Sequence, residues 1–82
     1  MTERLRIEFT IEPWSDAGHP SYVRAGLERA EASGLLVEPG PFGTAVEGPA
    51  DDLYALIPDV MRAAMEAGAG KVSVQIGRVD RT

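Results

Sequence analysis

The chain has 82 residues, no cysteine, and 13 acidic against 8 basic side chains, a formal net charge of −5. That length suits one domain over residues 1–82, and a domain so small buries only about 60–65% of its unfolded surface, so association between copies would add stability. The missing thiols exclude disulfides, thiolate zinc sites, iron–sulfur clusters and thiol catalysis, and the scattered bases argue against a nucleic-acid surface.

No apolar run approaches the roughly 18 residues needed to cross a bilayer. The start, MTERLRIEF, lacks the apolar centre of a secretory signal. The expectation is a cytoplasmic protein without a membrane partner.

Leu5–Glu12 alternates strictly. Leu5, Ile7, Phe9 and Ile11 share one face and Arg6, Glu8, Thr10 and Glu12 the other, which predicts a strand with one side on a core. Pro13 stops it, and Trp14–His19 reads as a loop. Pro20-Ser21 opens a helix, with Ser21 as N-cap or Pro20 at the first helical position. Val23, Gly26, Leu27 and Ala30 form its apolar stripe, and Ser33-Gly34 supplies the stop.

Leu35–Val37 and Thr44–Glu47 read as the arms of a hairpin that reverses at Gly40-Pro41 and Gly43 and closes at Gly48-Pro49. Asp51 or Asp52 is the expected cap of a second helix. Its stripe is Leu53, Leu56, Ile57, Val60, Met61 and Ala64, with Met65 also inward and a kink near Tyr54–Pro58 expected rather than two helices. Gly68 and Gly70 end the helix. Lys71–Val79 alternates again, with Val72, Val74 and Ile76 inward and Ser73 and Gln75 outward.

Strand, helix, strand, strand, helix, strand is the order of the ferredoxin-like βαββαβ fold, an α+β class with a four-stranded antiparallel sheet and both helices on one face. Strands one and three would be central. The uncovered face would carry Arg6, Glu8, Thr10, Glu12, Ser73 and Gln75, with Glu47 on it if Val46 faces the core.

Catalysis finds little support. His19 is the sole imidazole and sits in a loop. No dinucleotide, phosphate-loop or nucleophile-elbow pattern is present. An RNA-recognition sheet would expose aromatics where this one exposes Glu8, Thr10, Ala45 and Glu47. Binding is the better class, with no cofactor and no metal.

The segments IEFTIEP at 7–13, SYV at 21–23, SGL at 33–35, GPFGTAVEG at 40–48 and VSVQIGRVDR at 72–81 resemble the small thiamine-binding (YkoF-like) protein family. That family combines a polar residue late in strand one, a P-x-G-T-x-x-E-G hairpin arm, and an aspartate and arginine after strand four. The resemblance implies the ferredoxin-like fold, homo-oligomers (dimers or tetramers), and binding of thiamine or its hydroxymethylpyrimidine part without catalysis. Matched by position, it points to Thr10, Phe42, Thr44, Glu47 and Arg81. Phe42 departs from the family's frequent methionine, and Pro49-Ala50 from its more acidic and aromatic helix start.

An aminopyrimidine presents an amine beside ring-nitrogen acceptors, so a carboxylate with a hydroxyl or amide can read its edge. Glu47, Thr10, Ser73 and Gln75 could do so, with Phe42 or Trp14 as an aromatic wall. Each has a plainer role: Glu47 as an ion-pair partner of Arg6 or Arg78, Thr44 in strand geometry, Phe42 in hairpin packing, Trp14 over one end of the core, Arg81 near the chain end. Thr44 and Glu47, three residues apart, point to opposite faces of a regular strand. The competing functional class is a ligand-free oligomerisation or regulatory module that uses the polar sheet face as an interface.

Overall fold

The computed structural model describes residues 3–13, 18–40 and 43–79. The elements are β1 (Arg4–Glu12), α1 (Ser21–Ala32), β2 (Leu36–Pro39), β3 (Thr44–Pro49), α2 (Ala50–Glu66) and β4 (Lys71–Arg78). The sheet has four strands in the order β2-β3-β1-β4, and every pairing is antiparallel. This is the ferredoxin-like βαββαβ arrangement read from the sequence.

The alternation of β1 sets the layers. Leu5, Ile7, Phe9 and Ile11 are buried with Val46 of β3, Ala30 of α1 and Leu53, Leu56, Val60 and Ala64 of α2. Leu27, Val72 and Val74 pack against that cluster half-buried. At Gly26 an added Cβ would lie 2.4 Å from Ile11 Cδ1, so glycine there lets α1 approach β1 closely. Gly34 and Gly68 follow the two helices with φ of +77° and +111°, the left-handed stops predicted for them.

The structure corrects several local expectations. Ile76 is 47% exposed and Met61 and Met65 are 41% and 50% exposed, so none of the three belongs to the core. The buried positions of α2 already fill the interface with the sheet, and the methionines lie a further step around the helix. Pro20 and Pro49 occupy the N-cap positions, without side-chain capping bonds. Ser21 is therefore the first residue of α1 rather than its cap, and Asp51 and Asp52 stand in the first turn of α2, where they complement the dipole. As expected, α2 continues through Pro58 as one helix and not two. β2 begins one residue later than expected, at Leu36. β3 runs past Glu47 to Pro49, because Pro49 pairs with Arg4 and the Ala50 N–H donates to the Glu3 carbonyl at 2.8 Å. No helix among the described residues is long and apolar enough to cross a membrane.

Candidate functional site

Pairing divides the sheet face opposite the helices into two ends. At one end Arg6 lies across from Glu47, and Glu47 across from Leu36 of β2. This end is ionic. The Glu47 carboxylate lies 3.8 Å from Arg4 Nη2 and 4.0 Å from Arg6 Nη1, and Arg6 Nη1 donates to Glu38 Oε1 at 3.1 Å. At the same end but across from Leu5, on the helix side, Arg78 is bonded to Glu3.

Between this end and the Glu12–Lys71 pair at the other, the face carries no base among the described residues. Glu8 lies between Ala45 and Gln75, and Thr10 is across from Ser73. Small neighbours leave room here, and a concavity of about 350 Å³ opens, lined by Glu8, Phe9, Thr10, Gly40, Gly43, Ser73 and Gln75. Phe9 is 2% exposed with its ring in the core, so it offers the concavity its backbone. The hairpin side is held by Gly40 N–H donating to the Gly43 carbonyl at 2.8 Å. A Cβ at Gly43 would stand 3.0 Å from the Phe9 carbonyl oxygen and 3.1 Å from Thr10 Cγ2. Glycine suits so close an approach of this arm to β1, since a side chain would press on both.

Among the described residues the lining offers one carboxylate, two hydroxyls and one amide, and no base. Among the described residues no ion pair engages Glu8, and no group of histidine, cysteine, aspartate or glutamate could hold a metal ion. An anionic acceptor flanked by groups that both donate and accept suits a ligand carrying an amine beside ring-nitrogen acceptors.

The structure brings Thr10, Ser73 and Gln75 together, and leaves two other sequence candidates elsewhere. Glu47 sits on the same face but outside the lining, among Arg4 and Arg6. Thr44 is on the helix side, 8% exposed and paired with Phe9. The register of β3 is unbroken, so Thr44 and Glu47 do point to opposite faces. Phe42, Arg81 and Trp14 lie outside the described residues. Glu8, Gly40 and Gly43 join the lining without having been singled out from the sequence. Glu8 was one of four polar residues alternating along β1, and only its partners Ala45 and Gln75 distinguish it.

Fold and face together define a ferredoxin-like domain with a polar concavity on its open sheet, without a base among the described lining residues. The chain belongs to the thiamine-binding protein family, whose model matches residues 7–82. Among solved structures it is similar to a domain of unknown function (DUF77) from Bacillus cereus, at 26% identity and a TM-score of 0.73, over 98% of this chain and 78% of that one. A hypothetical protein from Methanocaldococcus jannascii shares the fold at 21% identity and a TM-score of 0.71, over 98% and 82% of the two chains. So does a proposed thiamine biosynthesis/salvage protein from Thermotoga maritima, at 19% identity and a TM-score of 0.69, over 90% and 80%. Among curated proteins none matches significantly.

Proposed function

We propose that this protein is a non-catalytic binder of thiamine or of its hydroxymethylpyrimidine part, acting as a cytoplasmic carrier, buffer or sensor and working as a homo-oligomer. The observation that supports the reading most is the concavity. It lies on the open face of a thiamine-binding-family fold, and its described lining residues include one carboxylate and no base.

In this reading Glu8 accepts from the exocyclic amine, and Thr10, Ser73 and Gln75 satisfy the ring nitrogens and the hydroxymethyl group. The thiazolium cation is favoured by the same uncompensated carboxylate. A volume of about 350 Å³ is at the small end of ligand sites, which run from roughly 300 Å³ upward. With no base among the described lining residues, the site should hold phosphate esters, whose oxygens are best held by arginine or lysine, more weakly.

Calorimetric titration against thiamine, thiamine phosphates and hydroxymethylpyrimidine tests the assignment. Saturable binding of thiamine or the pyrimidine, with weaker binding of the phosphates, is expected. Absence of binding to every one of them would overturn it in favour of a ligand-free oligomerisation or regulatory module.

A further inference from the structure

One apolar line of α2 is left uncovered. Tyr54, Pro58, Met61 and Met65 recur at helical spacing, so they lie one above another along the helix. All four are exposed, Tyr54 by 57% and the methionines by 41% and 50%. The core takes its side chains from a different line, Leu53, Leu56, Val60 and Ala64. The exposed row spans roughly 16 Å, or three helical turns.

The rim of this row is charged with one sign. Next around the helix, on the side away from the core, stand Asp51, Asp59 and Glu66, all exposed. With Asp52 and Arg62 the helix carries four acids against one base. Among the described residues no ion pair engages these acids. A contiguous apolar surface rimmed by polar groups marks an interaction site, and an acidic rim selects a basic occupant.

We propose that this face of α2 docks a basic amphipathic helix of another protein. Its apolar side would pack on Tyr54, Met61 and Met65, and its lysines or arginines would lie against Asp51, Asp59 and Glu66. Methionine thioethers are flexible and polarisable, which suits them to an incoming side-chain pattern. Three turns match an occupant with anchors at i, i+3 or i+4, and i+7. A second copy does not supply such a helix. α1 mixes Arg24 and Arg29 with Glu28 and Glu31, and α2 set against α2 would bring acid to acid. An anionic membrane surface is repelled for the same reason. The row belongs to the helix layer, opposite the sheet face that holds the ligand concavity, so the proposal is independent of the ligand reading and is measured without ligand.

The test is fluorescence anisotropy of a labelled leucine–lysine peptide with its leucines at helical spacing, titrated with the wild-type protein. A peptide of the same composition, scrambled to destroy the apolar face, is the charge control. Wild type should bind the amphipathic peptide at least tenfold more tightly than the scrambled one, and less tightly as salt rises. The Met61→Gln/Met65→Gln double variant should lose at least tenfold in affinity, and Asp59→Asn/Glu66→Gln should lose both affinity and salt dependence, with circular dichroism unchanged in each. Failure of wild type to bind, equal binding of the scrambled peptide, or wild-type affinity in the folded double methionine variant would overturn the proposal. A change of mass in light scattering on the methionine substitutions would give the row to a second copy, and wild type sedimenting with phosphatidylglycerol vesicles would give it to lipid; either would also overturn it.

Discussion

Replacing Glu47 by glutamine separates two roles for the most conspicuous carboxylate in the sequence. The side chain is 24% exposed and reaches arginines that are 45% and 42% exposed, at 3.8 and 4.0 Å. Those separations exceed hydrogen-bond distance, and pairs this exposed contribute about 0–1 kcal/mol. Arg6 also keeps its closer partner Glu38 in the variant. The expected loss is therefore under about 1 kcal/mol, a fall in melting temperature of no more than about 4–8 °C for a domain of this size. The loss should shrink as salt rises, because exposed charges are screened. Affinity for thiamine should stay within about twofold of wild type. Glu47 faces Arg6, one same-face step short of Glu8, roughly 7 Å along the strand from the lining. Thermal melts at two salt concentrations and calorimetric titration of the same Glu47→Gln protein make the comparison. A ten- to a hundredfold loss of affinity, the size expected of a lost charged hydrogen bond, with an unchanged melt would refute this reasoning and return Glu47 to the ligand.

Phe9→Ala empties a fully packed site, 2% exposed, and should cost about 3–5 kcal/mol; thermal melts should fall by at least about 12 °C. Gly43→Ala presses a methyl against the Phe9 carbonyl oxygen at 3.0 Å and narrows the concavity, so calorimetry should show weaker thiamine binding together with a lower melting temperature. Met61→Gln and Met65→Gln change residues that are 41% and 50% exposed and should each alter stability by less than about 0.5 kcal/mol, as measured by urea denaturation.

The fold was legible because each of its cues is local. Strict alternation in β1 is a backbone period, and Gly34 and Gly68 are stops that an L side chain resists. What was not legible depended on neighbours. Ile76 keeps the inward phase of β4 but lies on an edge strand and remains exposed. Met61 and Met65 extend an apolar stripe beyond the part of α2 that the sheet covers. Pro49, which reads as a strand stop, remains paired because Arg4 reaches it and the next residue's N–H finds Glu3.

The candidate site shows the same division. Thr10, Ser73 and Gln75 could be placed on one face from alternation alone. That Glu8 borders the concavity while Glu47 sits among arginines follows from the β1–β3 and β1–β4 registers. No single strand's sequence contains that information.

The most direct test is the thiamine affinity of Glu8→Gln against wild type, by calorimetry in the same buffer. Glu8 is the one charged group among the described lining residues, and a hydrogen bond to a charged partner contributes about 1.5–3 kcal/mol. Affinity should fall by roughly ten- to a hundredfold, while the melting temperature changes little because no ion pair among the described residues is lost. Wild-type affinity in a folded Glu8→Gln protein would contradict the placement of the ligand on this face.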